Sequence, residues 1–154
     1  VGEISFLVFW PSEEYLARLV PEETASNVLG ARTTNTPNEF SVVLGLSYGE
    51  FDTLLTGDIE PPATNMVALS VVEGRRWEVL KVPHHGSKNG LTAELLEVVK
   101  PKLAVISVGK KNRYGHPHEK VIKLLSDKVI KTLRTDVDGE VEIVTDGERW
   151  QVKQ

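Results

Sequence analysis

The chain has 154 residues, of which 40% are hydrophobic and 26% are charged, so it is long enough for one domain with a hydrophobic core. No apolar run approaches the roughly 20 residues of a membrane-spanning helix, and no signal-peptide pattern is found. The absence of cysteine excludes disulfides and thiolate zinc sites, so any metal would be held by His, Asp or Glu. The net charge of −4 argues against a simple phosphate-backbone binder, which is usually basic.

The amino-terminal third is predicted to hold a buried strand, a helical turn and a loop. Residues 4–9 form an apolar run with two aromatic side chains, which is typical of a buried strand. Residues 12–14 (SEE) favour one helical turn. Residues 21–39 are rich in Thr, Asn, Glu and Pro with little periodicity, so we predict a loop there.

Strands and helices alternate through the rest of the chain. Strands are predicted at 41–46, 51–56, 77–82, 103–108 and 129–133, with helices after the Pro61-Pro62 pair, at 91–99 and from Pro117. Asp146-Gly147 indicates a closing hairpin between strands at 140–145 and 148–152. This order predicts a single α/β domain with a layered sheet.

Polar residues that could bind a metal follow three of the predicted strands. All four histidines, and Asp58, lie between residues 51 and 118. Asp58 has two open interpretations: it caps the next helix, or its two oxygens bridge two cations. Asp136, Asp138 and Asp146 are predicted to act in turns.

The His84-His85 pair is the more specific signal. Neighbouring side chains on an extended segment point in opposite directions. Unless the backbone turns, one histidine would ligate a metal while the other would hydrogen-bond substrate or carry a proton. A purely structural pair is the alternative.

His116 is predicted to cap the helix that Pro117 begins, where backbone N–H groups favour an anion. Asn112, Arg113 and Tyr114 supply donors suited to phosphate, and the cationic Lys110-Lys111 pair could guide a polyanion. The alternative is an exposed loop with a capping histidine. His118 is predicted to be solvated.

Taken together, these stretches resemble the metallo-β-lactamase superfamily, and specifically the carboxyl-terminal domain of ComEC-type DNA-uptake (competence) proteins. The resemblance covers the chain from about Asn38 onward and is specific through the order of its motifs. The matching segments are residues 41–44 (SVVL), 54–58 (LLTGD), 80–87 (LKVPHHGS), 105–109 (VISVG), 112–118 (NRYGHPH) and 134–139.

The resemblance implies a role for each matching residue. Asp58 would bridge two metals, and His85 would ligate one of them. His84 and His116 would be catalytic, facing the phosphate or moving a proton. Ser87, Asn112 and Tyr114 match flanking motif residues and would bind substrate.

Two departures from the family pattern limit this expectation. The upstream His-x-His-x-Asp-His motif is absent, and Asn38-Glu39-Phe40 stands where an Asn-rich run is usual. Residues 1–154 are therefore expected to be the later part of one αββα sandwich, a mixed sheet flanked by helices without its amino-terminal portion. The intact domain would hold two divalent ions, zinc or manganese, whereas this chain alone would bind metal weakly or not at all and would be inactive.

The implied function is a metal-dependent phosphodiesterase or nuclease acting on DNA during uptake and transformation. A stand-alone hydrolase of a small ester or phosphodiester, or a degenerate domain that only binds DNA or a partner, remains open. The resemblance implies a soluble domain of a membrane-integrated parent, on the outer face of the membrane; a stand-alone protein would be cytoplasmic. An exposed sheet could also make the chain a homo-oligomer.

Overall fold

The computed structural model describes residues 2–19, 37–71 and 75–153. Within these ranges, no helix is long and apolar enough to cross a membrane. The described residues form eight strands: β1 Ile4–Trp10, β2 Val43–Tyr48, β3 Phe51–Leu55, β4 Val79–Lys81, β5 Leu103–Ile106, β6 Lys131–Arg134, β7 Glu142–Thr145 and β8 Trp150–Lys153. The α-helices are α1 Glu13–Leu19, α2 Ala63–Ser70, α3 Ala93–Val99 and α4 Glu119–Asp127, with 3₁₀ helices at Pro37–Phe40 and Pro83–Gly86.

A six-stranded mixed sheet in the order β1-β2-β3-β4-β5-β6 forms the centre of the fold. The pairs β1–β2 and β2–β3 are antiparallel, whereas β3, β4, β5 and β6 run parallel to one another. Parallel strands end at the same edge of a sheet. The segments that follow β3, β4 and β5 therefore emerge side by side.

Alternating side chains of the central strands separate the two faces of this sheet. Leu54, Leu80, Ala104 and Ile106 point to one face, where they pack with apolar residues of α2, α3 and α4 in the main core. On the opposite face, a second cluster of buried residues packs against the β7–β8 hairpin; its members are Phe51, Val79, Leu103 and Leu133. The protein is thus an α/β fold with helices over one face and a hairpin over the other.

The predicted elements agree with the structure except in a few places. The β2–β3 and β7–β8 hairpins are confirmed, as are α2, α3 and the predicted turn of helix at α1. β6 begins later than predicted, because Val129 has φ 56° and is 90% exposed. The predicted loop at 21–39 lies outside the described residues up to position 36, and its end forms the first 3₁₀ helix.

The predicted burial of the first strand is wrong for most of its length. Phe9 and Trp10 enter the core, but Ile4, Phe6, Leu7 and Val8 are 46–63% exposed. β1 lies at the edge of the sheet, and only its last residues reach the helix layer. The apolar run therefore predicts the strand correctly but not the solvent exposure of its side chains.

Candidate functional site

The residues that follow β3, β4 and β5 meet at the carboxyl edge of the parallel strands. Asp58 follows β3, the two neighbouring histidines lie in the 3₁₀ turn after β4, and His116 lies in the loop after β5. A hydrogen bond from the His84 backbone N–H to the Gly57 carbonyl (3.1 Å) joins the first two segments. A bond from the His118 N–H to the Gly86 carbonyl (2.8 Å) joins the second and third.

Asp58 is positioned by a glycine turn and a serine. Gly57 has φ 54°, a conformation that glycine adopts without strain, and the Asp58 backbone N–H donates to Ser41 Oγ at 3.1 Å. Asp58 does not cap the following helix, because Pro62 occupies that position at the start of α2. The capping interpretation is therefore wrong, and the carboxylate is free to face the histidines.

The His84-His85 backbone is turned rather than extended. Both residues lie in the left-handed region, with φ 46° and φ 55°, which is uncommon for residues other than glycine. Their ring centroids are 6.3 Å apart at 67°. The expectation based on an extended segment does not apply, because the turn brings both rings to the same edge of the sheet.

His85 directs its Nε2 atom toward Asp58. Its Nδ1 lies 2.6 Å from the Ser107 carbonyl oxygen, and a carbonyl can only accept, so Nδ1 carries the hydrogen. In this tautomer Nε2 is an acceptor, and it lies 3.6 Å from Asp58 Oδ1. In the neutral ring, these two acceptors face each other with no hydrogen between them, so a cation bound by both would stabilise the pair.

This pair fits part of a metal site. The separation of 3.6 Å is less than two metal–ligand bonds of about 2.1 Å end to end, so both atoms could reach one ion. The Ser107 carbonyl fixes the tautomer as the second contact of a metal-binding histidine usually does. In the part of the chain that the structure describes, no group of three or more His, Asp or Glu side chains could hold an ion.

His84 contacts a carboxylate that lies outside the sequence motifs described above. Its Nδ1 lies 3.0 Å from Glu60 Oε1, and the Ser87 hydroxyl donates to the same oxygen at 2.6 Å. No local sequence signal marks Glu60, which lies in the turns after β3 next to the fully buried Ile59.

The loop after β5 carries His116 next to His84. Their ring centroids are 5.6 Å apart, and Tyr114, which is 84% exposed, stacks on His116 at 6.0 Å. Burial lowers the pKa of His116, and the nearby His84 and His85 lower it further. Asn112 braces the loop: its amide donates to the His116 carbonyl at 2.8 Å and accepts from the His116 N–H at 3.0 Å.

Helix α4 begins later than predicted, and a different histidine caps it. His118, and not His116, is the N-cap residue, and its Nδ1 accepts from the Lys120 N–H at 3.1 Å. His118 is partly exposed and points into the first turn of the helix. Because His116 lies two residues before the cap, its ring is left beside His84.

The remaining predicted residues divide between contacts inside the protein and exposed positions. Ser87 is buried, and its hydroxyl also accepts from the Gly90 N–H at 3.1 Å, so its observed partners are protein groups. Lys110, Lys111 and Arg113 are exposed. The turn roles of the three other aspartates are confirmed by their hydrogen bonds: Asp136 with the Arg134 side chain, Asp138 with the Arg134 N–H, and Asp146 with the N–H groups of Glu148 and Arg149.

Comparison with known proteins gives several relatives, although no family model matches the chain. Over 105 residues, 68% of the chain, it is 43% identical to ComE operon protein 3 of Bacillus subtilis (strain 168). Over 121 residues, 79% of the chain, it is 32% identical to Recombination protein 2 of Haemophilus influenzae. It is 33% identical over 105 residues, again 68%, to Competence protein ComA of Neisseria gonorrhoeae.

The matched regions are small parts of these relatives. They cover 13% of the Bacillus protein and 15% of each of the other two. The similarity relates this chain to one segment of the competence-related ComEC proteins.

Proposed function

We propose that this chain contributes to a metal-dependent phosphodiester hydrolase site, in a nuclease-like domain of the metallo-β-lactamase type that acts in DNA uptake. The observation that carries the proposal is the pair of acceptors, Asp58 Oδ1 and His85 Nε2, 3.6 Å apart. Their position at the carboxyl edge of parallel strands is where open α/β sheets usually bind ligands.

Each residue then has a role that follows from its contacts. Asp58 and His85 would hold the metal, with His85 oriented by the Ser107 carbonyl. His84 and His116, whose rings are neighbours, contact the phosphate or carry a proton. Two divalent ions, zinc or manganese, would act as Lewis acids toward the phosphoryl group.

The DNA context rests on the relatives and on the loop after β5. The relatives are named for competence and recombination, processes in which DNA is the molecule handled. Exposed Lys110, Lys111 and Arg113 lie on the loop that also carries His116, so a polyanion approaching the site would meet positive charge first. Asn112 and Tyr114, on the same loop, would line the substrate entry.

The test is cleavage of single-stranded DNA by the full-length gene product, with manganese or zinc added and with this chain alone as a second sample. Asp58→Ala should reduce metal-dependent cleavage by about 100-fold or more, because it removes a ligand rather than an outer contact. Asp127→Ala is the matched control: this exposed aspartate pairs with Lys123 at the far end of α4 and should leave cleavage unchanged.

The same samples distinguish the alternatives. Calorimetric titration with manganese reports metal loading independently of cleavage. A loaded, folded protein that cuts no DNA would refute the nuclease proposal in favour of a small-ester hydrolase or a binding-only domain. Metal-dependent cleavage that persists in Asp58→Ala would show that Asp58 is not a ligand of the catalytic metal.

A further inference from the structure

We propose that Glu60 is a positioning residue that, together with Ser87, fixes the tautomer and orientation of His84. Only the effect of this arrangement on catalysis rests on the proposed function. The arrangement itself is a property of the folded chain and can be measured without any reaction.

The contact between Glu60 and His84 determines which imidazole nitrogen carries the hydrogen. Glu60 Oε1 lies 3.0 Å from His84 Nδ1, and a carboxylate can only accept, so Nδ1 is the donor. Asn38 Nδ2 also lies 3.4 Å from the same nitrogen, but it is a donor and cannot bond to a nitrogen that bears hydrogen. The shorter contact, to an anionic acceptor, is the stronger of the two.

Ser87 holds the carboxylate in place. Its hydroxyl accepts from the Gly90 N–H at 3.1 Å, which directs its own hydrogen to Glu60 Oε1 at 2.6 Å. Ser87 is only 4% exposed and its backbone N–H donates to the His84 carbonyl at 2.8 Å. The serine therefore holds both Glu60 and His84 in place from the protein interior.

The consequence is a defined chemical state for His84. In the neutral ring with Nδ1 bonded to Glu60, Nε2 is the nitrogen without hydrogen, and the ring lies beside His116 with centroids 5.6 Å apart. The left-handed backbone of His84 is strained for a residue other than glycine, and such strain persists where the surrounding contacts over-determine it. Glu60 and Ser87 are contacts of that kind.

The direct test is the imidazole ¹⁵N spectrum of the ¹⁵N-histidine-labelled chain, recorded where the rings are neutral. We expect His84 with its hydrogen on Nδ1 in the wild type. Glu60→Ala should convert it to mixed tautomers, whereas Glu60→Gln, which retains an acceptor oxygen, should keep most of the Nδ1–H form. His85 provides an internal control, because its Nδ1 is bonded to Ser107 and should not respond.

Two outcomes would overturn the inference: a wild-type His84 protonated on Nε2, or a tautomer unchanged in Glu60→Ala. The wild-type spectrum needs no variant, so misfolding cannot hide the answer. Ser87→Ala should give a smaller shift toward mixed tautomers of His84. Glu60 remains as the acceptor in this variant but loses its hydrogen bond from the Ser87 hydroxyl. Glu94→Ala, an exposed acid in the first turn of α3, should leave the His84 signals unchanged.

Kinetics of the full-length product complete the test. We expect Glu60→Ala to lower kcat about 10–100-fold, the usual effect of losing an orienting contact, with KM and metal content within about twofold of the wild type and partial rescue in Glu60→Gln. A wild type that cuts no DNA but shows the expected tautomer would refute the proposed function and leave this inference standing. DNA cleavage by the wild type, together with a His84 tautomer that does not change in Glu60→Ala, would refute this inference and leave the proposed function standing.

Discussion

At the scale of single residues, the site depends on one glycine turn. Gly57 has φ 54°, and a Cβ built there would lie 3.0 Å from Ser41 Cβ and 3.1 Å from the Val42 carbonyl oxygen. Ser41 is also the residue whose hydroxyl accepts from the Asp58 N–H. A side chain at position 57 would therefore push against the contact that places the carboxylate.

We expect Gly57→Ala to lower the free energy of unfolding by more than Gly139→Ala does, measured by urea denaturation. Both glycines have positive φ, but a Cβ at Gly139 meets nothing within 4 Å, so that variant isolates the conformational cost of roughly 1–2 kcal/mol. The additional loss of unfolding free energy in Gly57→Ala then measures the cost of the close contacts with Ser41 and Val42. Equal losses in the two variants would show that the crowding at Ser41 and Val42 relaxes without cost.

Some residues of the site could be predicted from the sequence and others could not. The motif residues Asp58, His84, His85 and His116 were identified, and the structure brings them together. Glu60 was missed because its partners, His84 and Ser87, are 24 and 27 residues away, a distance that no local pattern spans. The tautomer of His85 depends on the Ser107 carbonyl, a backbone group whose position only the folded sheet defines.

At the scale of elements, helix positions were predictable but their exact starts were not. Pro117 favours a helix start locally, yet α4 begins at Glu119, because the hydrogen bond from the His118 N–H to the Gly86 carbonyl holds the preceding residues against the 3₁₀ turn. A tertiary contact therefore overrides the local signal. This shift also decides which histidine caps the helix and which reaches the site.

The stability of helix α3 can be tested by substitution, because a single side chain, Thr92, caps its amino terminus. Thr92 Oγ1 accepts from the Leu95 N–H at 3.2 Å, and Leu95 and Leu96 bury the helix in the core. Thr92→Ala should lower the free energy of unfolding by about 1 kcal/mol, whereas Thr92→Ser, which keeps the capping oxygen, should change it little. Equal losses in urea denaturation would mean that the threonine methyl group, and not the hydroxyl, is the stabilising part.

At the scale of the whole molecule, the two ends of the sheet differ in how well they are covered. The parallel strands β4 and β5 are buried between the helices and the β7–β8 hairpin, as parallel strands usually are. At the other end, β1 exposes Ile4, Phe6, Leu7 and Val8 and carries no charged residue from Ile4 to Trp10. Charges and prolines are the usual protection of an edge strand, and β1 has neither.

The uncovered edge predicts that the isolated chain self-associates, with β1 of one copy pairing against β1 of another. Sedimentation velocity should show a rise in mass with concentration, and Phe6→Lys should suppress it, because a charge on the edge strand disfavours pairing. Phe6 is 63% exposed, so the substitution should cost little folding stability. Leu69→Lys, at an 84% exposed position on α2, removes a comparable apolar surface away from the edge and should leave association intact. If both variants suppress association equally, general surface hydrophobicity and not the edge of β1 drives it; a wild type that stays monomeric throughout would show that the edge does not pair.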